Sequence, residues 1–380
     1  MKSKRSKKTK TPLMNALNNK RKRANSSNKL ENLSTNIKTK DNELSKIKNI
    51  HFSKCIVEDA MDWGISNLEI NLFEIFQSID NILYLVYLNK KNIVVFYDLN
   101  ENKKTFEIKN AHEEIICYIR YYLDEINKRD LILTISYQEN NIKVWNINSL
   151  ECIFDLDSDS DTKYIHSANF LYNNNQINII VLYEENRHYN KLNIYDLNSE
   201  EIEVIKYFHG ITYFLKTYYN KKNNNSYIIS GHYNYIISYD YNKGKQYRQY
   251  KDGKSLQHSN AVVYEKDDEL KLIESCWDGY VRIWNFDSGK LLKKINVVVE
   301  NAELKKILNS ICLWDNDYAF IGYDGAYIIL VDIKNGNVIK KFKDNDNAPL
   351  LSIEKISTTN FGECLVTQEF NRNEIKLWVI

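Results

Sequence analysis

The sequence predicts an all-β fold: a seven-bladed β-propeller preceded by a disordered basic N-terminal tail. Three observations carry this expectation. From about residue 48 onward, short runs rich in Ile, Val, Tyr and Phe alternate with turns of Asn, Asp, Gly and Lys, and helical periodicity is weak. One strand-and-turn unit recurs seven times at intervals of 44 to 50 residues. A spare strand-like run stands ahead of the first unit, and the last unit stops at its third strand.

The tail comes first. Residues 1–47 are polar, basic and rich in Asn and Ser, with too little apolar surface to offset the entropy of ordering. Residues 1–48 hold 15 Lys and Arg against three acids, Glu31, Asp41 and Glu43. The rest of the chain holds 37 basic and 47 acidic residues, so the overall net charge of +2 joins a basic tail to an acidic body. Within the tail, Lys20, Arg21, Lys22 and Arg23 are expected to form a nuclear-import signal or a nucleic-acid patch, the alternative being a tail that only solubilises. The amino-terminal residues MKSKRSKK lack the apolar segment of a secretory signal. The six cysteines are scattered with no CxxC pair, which predicts reduced thiols in an intracellular protein. No run of about 18 apolar residues is present to span a membrane.

The body, 48–380, follows. The run NIHFSKCIV over 49–57 is the spare strand, expected to pair in the last blade and close the ring. The seven units are VVFYDLNEN (94–102), IKVWNINSL (142–150), LNIYDLNSE (192–200), IISYDYNKG (236–244), VRIWNFDSG (281–289), IILVDIKNG (328–336) and IKLWVI (375–380). Their aromatic or apolar anchors are Tyr97, Trp145, Tyr195, Tyr239, Trp284, Val331 and Trp378, separated by 48, 50, 44, 45, 47 and 47 residues. Each interval has room for four short strands and their turns, which is one blade.

This pattern resembles the WD-repeat (WD40) family over roughly residues 50–380. The resemblance is fullest in the fifth unit, where His258 precedes Asp278-Gly279 and Trp284-Asn285. In that family a His, a hydroxyl on the second strand, a turn Asp and the Trp form a hydrogen-bonded set. The resemblance therefore implies a structural set of His258, Asp278 and Trp284, with Cys276 where Ser is usual. The second unit retains His112 and Trp145, with Glu139 in place of the Asp.

Chemical motifs are few. GxxxxGK[ST], GxSxG and HExxH are all missing, and the seven histidines have no metal-ligand spacing. Asp155 to Asp161 resembles the start of a calcium loop, but Ser160 replaces the needed Gly and His166 the bidentate Glu. No catalytic residue, metal or cofactor is predicted. Trp277, just before the Asp278-Gly279 turn, is not required by the repeat and is a candidate partner anchor at the rim, or a packing residue between blades.

The expected function is a non-enzymatic scaffold that binds other proteins, in a multiprotein and nuclear assembly handling RNA or chromatin. Nucleic acid would be reached through the tail, and no membrane is involved. One alternative is a substrate-recognition subunit of a ubiquitin ligase. Many such WD-repeat proteins carry Arg two residues after Trp-Asp, where Asn100, Asn148 and Asp287 stand here. The other alternative is an enzyme with a site in the central channel.

Overall fold

A computed structural model describes residues 44–61, 71–157, 164–186, 189–198, 200–209, 211–253, 257–298, 307–323, 327–343, 350–369 and 374–379. Of the predicted tail, only 44–47 are described, as one helical turn; Lys20, Arg21, Lys22 and Arg23 lie outside the described residues, as does most of the acidic loop before His166. The β structure forms one compact unit, His51–Val379.

Seven four-stranded antiparallel sheets make up this unit. Blade 1 is Phe73–Gln77, Leu83–Leu88, Val94–Asp98 and Lys103–Ile108. Blade 2 is Ile116–Asp124, Arg129–Ser136, Asn141–Asn146 and Glu151–Asp157. Blade 3 is Tyr164–Asn173, Gln176–Asn186, Tyr189–Tyr195 and Glu201–His209. Blade 4 is Thr212–Asn220, Asn225–His232, Ile236–Asp240 and Lys245–Tyr250. Blade 5 is His258–Lys266, Glu269–Cys276, Tyr280–Asn285 and Leu291–Asn296. Blade 6 is Leu308–Leu313, Tyr318–Tyr323, Tyr327–Asp332 and Asn337–Lys343. Blade 7 takes Leu350–Thr358, Gly362–Glu369 and Ile375–Val379 from the end of the chain, and its outer strand, His51–Val57, from the beginning.

The seven anchors occupy one register position. Tyr97, Trp145, Tyr195, Tyr239, Trp284, Val331 and Trp378 stand opposite Leu85, Ile132, Ile179, Ile228, Leu272, Ala319 and Leu365 of the second strands. Beside each anchor the outer strand carries a bulge. In blade 1 Phe96 pairs Phe106 and Tyr97 pairs Lys104, which leaves Thr105 without a register partner. The closing strand repeats the device: Leu377 pairs Lys54 and Trp378 pairs Phe52, with Ser53 left over. The bulge recurs at this position in every blade, beside Val331 as well as beside the six aromatic anchors, so it belongs to the blade register and not to the size of a ring.

The core lies between blades. Phe96, Ile108, Ile119 and Ile132 pack between blades 1 and 2, and Leu133, Val144, Ile165 and Val181 between blades 2 and 3. Between blades 7 and 1, Val57, Leu85, Val95, Val366 and Leu377 do the same. A blade is thus covered on both faces, so its middle strands read as near-continuous apolar runs such as LYLVYL rather than strict alternation. The outer strands face solvent and carry Lys and Glu, as in KKTFEI. Inner strands of successive blades lie against one another and line the axis.

Asparagine does much of the turning. Asn81, Asn92, Asn102, Asn110, Asn140, Asn174, Asn175 and Asn224 have positive φ, a conformation that most side chains resist and Asn tolerates. Asn174-Asn175 and Asp267-Asp268 each supply both central residues of a two-residue hairpin. A chain with only 11 glycines thereby still makes tight turns.

Candidate functional site

Each blade joins its second and third strands at the same end of the propeller where the chain enters the next blade. We call this end the entry face. The predicted structural set of blade 5 lies there, but its members do not form one hydrogen-bonded group. His258 Nδ1 lies 2.7 Å from Glu274 Oε2, both side chains being fully buried. Asp278 instead accepts from Arg282, which also reaches Asp252 at 2.7 Å and Glu274 at 3.5 Å. Trp284 Nε1 has no hydrogen-bond partner among the described residues. His258 and Asp278 are therefore linked only through Glu274 and Arg282, and Trp284 stands aside.

The physical reason is register. His258 already pairs Cys276 within the inner strand. In blade 2 the equivalent pair is Ile116 and Ser136, and His112 precedes it by four residues. From there His112 Nε2 reaches Thr134 Oγ1 at 2.9 Å, Trp145 Nε1 donates to the same oxygen at 3.1 Å, and His112 Nδ1 lies 2.8 Å from Glu139. The four-membered relay thus forms in blade 2, with Glu139 in the acidic place. Blade 7 retains half of it, Trp378 Nε1 donating to Thr367 Oγ1 at 2.9 Å. Cys276 accompanies neither relay, and burial pushes its thiol up to about 12. Burial also lowers the pKa of His112, so its ring is kept neutral at ordinary pH.

Sequence reasoning missed Arg282 and Glu274. Arg282 is fully buried, and three carboxylates raise its pKa over the opposing effect of burial. Lys294 adds a second cation, 2.7 Å from Asp252. This network ties the loop entering blade 5 to its second, third and outer strands. A buried charge left by removing one partner would be strongly destabilising.

Trp277 is half-buried beside that network. Its ring lies 6.2 Å from Tyr213, centroid to centroid, at the edge of blade 4. The backbone N–H of Trp277 donates to Gln257 O, and Gln257 Nε2 donates to Tyr213 OH at 2.5 Å. Tyr233 acts electrostatically on Tyr213 and is itself 51% exposed, and Ile211 is 41% exposed. Ile211, Tyr213, Tyr233 and Trp277 therefore form an aromatic and apolar surface on the entry face of blades 4 and 5. Tyr213 and Trp277 are partly fixed by packing and hydrogen bonds and remain partly accessible.

Fold and surface together define a closed seven-bladed propeller, with a register consistent with WD40-type blades. Among known proteins, the chain matches no protein-family model and no curated sequence. Among the described residues no helix is long and apolar enough to cross a membrane, and no group of three or more His, Cys, Asp or Glu is placed to hold a metal ion.

Proposed function

We propose that this protein is a non-enzymatic interaction scaffold of the WD-repeat type, and that the Trp277 surface is where it holds a protein partner. The observation that carries this reading is the grouping of Trp277 and Tyr213, held by Gln257, beside exposed Tyr233 and Ile211. Aromatic anchors fixed before binding lose little entropy on association and contribute a large share of interface energy. The relay of His112, Thr134, Glu139 and Trp145 supports the WD-repeat assignment. The basic tail supports a nuclear setting and contact with RNA or chromatin.

The test is affinity capture with the tagged full chain, comparing wild type with Trp277→Ala and Tyr233→Ala. The expected result is loss of the captured companions with a thermal midpoint near that of wild type. Unchanged capture, or a wild-type chain that holds no stable companion, overturns the reading.

A further inference from the structure

A second site lies at the opposite end of the inner strands. There a cavity of about 390 Å³ opens between blades 2, 3 and 4. Arg120 and Lys216 line it together with Asn169, and Tyr122, Tyr172 and Tyr219 are among its five tyrosines. No Asp or Glu is among its lining residues. Tyr172 and Tyr219 meet edge to face at 4.6 Å, so the cavity presents aromatic faces in a fixed arrangement.

The cations sit on equivalent positions of the inner strands of blades 2 and 4, opposite Leu133 and Ile229 of their own blades, and Asn169 lies on the inner strand of blade 3 between them. Arg120 Nη1 pairs with Glu74 at 2.5 Å, and Lys216 donates to the neutral Asn260 at 2.6 Å. Glu354 of blade 7 faces both cations electrostatically. It is solvent-accessible yet enclosed by protein, which with Glu74 pushes its carboxyl up to about 7. At pH 7 Glu354 is about half ionised, so Arg120, Lys216, Glu74 and Glu354 together carry between zero and one net positive charge. At the tyrosine end, Asp124 and Glu125 act on Tyr122 and Tyr172. Asp124 is itself paired with Arg129 at 2.8 Å, so an anionic group is drawn to the cationic end, while a flat ring fits among the tyrosines.

We propose that this cavity binds a nucleoside monophosphate, its phosphate at Arg120 and Lys216 and its base on the tyrosines. The volume suits a ligand of that size, guanidinium and ammonium groups bind phosphate through charge-assisted bonds, and aromatic faces stack any base. The same chemistry is offered by a free nucleotide and by the phosphorylated end of an RNA strand.

Titration calorimetry of the full chain tests this with adenosine monophosphate, adenosine, inorganic phosphate and a 5′-phosphorylated trinucleotide. Adenosine monophosphate binds, and adenosine or phosphate alone binds at least about tenfold more weakly, since each retains only one half of the recognition. Lys216→Gln weakens the nucleotide about tenfold or more and leaves adenosine unchanged. Tyr172→Ala weakens both, and a thermal melt of the variant checks that the fold survives the loss of its packing against the core. A trinucleotide that binds as tightly as the monophosphate identifies a strand end as the source; a weaker one identifies the free nucleotide. The proposal is overturned if adenosine monophosphate gives no heat up to about 5 mM, if inorganic phosphate binds as well, or if neither variant alters binding.

Discussion

His166 and His232 are buried as neutral rings, and burial lowers their pKa values to about 4 and about 3. His232 Nε2 lies 2.9 Å from Ser230 Oγ, a contact that a neutral ring satisfies. In the unfolded chain both would titrate near the ordinary histidine value of about 6.5. The unfolded state therefore binds protons that the folded state refuses. Stability is fully present above about pH 6.5 and is lost as pH falls toward 4, each ring adding about 1.4 kcal/mol per pH unit to the slope. Glu354 acts in the opposite sense between about 4.5 and 7, but water reaches it, and its share is smaller. Thermal midpoints measured from pH 7.5 to 4.5 should fall, and His166→Gln should flatten the curve. A midpoint independent of pH would show that these rings are not buried neutral.

At the level of the blade, the relay of His112, Thr134 and Trp145 joins the entering loop to the second and third strands. Thr134→Val keeps the shape but leaves two buried ring nitrogens without their shared oxygen. It should lower stability by about 1–3 kcal/mol in urea unfolding. A loss below a few tenths would mean that the relay contributes only geometry. The blade is also where legibility divides. Seven anchors at near-even spacing were readable because every blade puts a bulky apolar side chain, a ring in six of the seven, at the same place on its third strand. Glu274 and Arg282 were not. Glu274 and Arg282 stand eight positions apart on either side of a turn, where charged residues read as a solvent face, and only the register brings Arg282 opposite Glu274 and next to Asp252. The placing of His258 failed for a similar reason, since spacing alone does not distinguish the loop before an inner strand from its first residue. The tyrosine cavity left no local signal, because its residues come from inner strands nearly 50 positions apart. Trp277 was the exception, an aromatic that the repeat did not need.

Across the whole molecule, closure rests on the pairing of His51–Val57 with Ile375–Val379. Between blades 7 and 1, Thr359 and Asn360 also bond to Asn100, and Val57 and Leu377 share a core with Leu85 and Val95. Deleting residues 1–40 should leave the thermal midpoint nearly unchanged, because the closing strand is intact. Deleting 1–60 exposes the edge of the last blade and removes Val57 and Ala60 from the core, so the midpoint should fall sharply. Equal midpoints for the two truncations would refute closure by this strand.

That closing strand imposes an order in time. Cys55 bonds to the backbone at Ile375, 320 residues further along the chain. At synthesis rates of about 5–20 residues per second, its partner emerges roughly 16–64 s later. Blades 1 to 6 are each contiguous in sequence and have all their strands before that moment; blade 7 does not. During synthesis the nascent chain therefore carries a waiting β-strand at its front, with Phe52, Cys55 and Val57 uncovered. Of all segments in the protein, this is the one for which a chaperone on the ribosome would have the longest use.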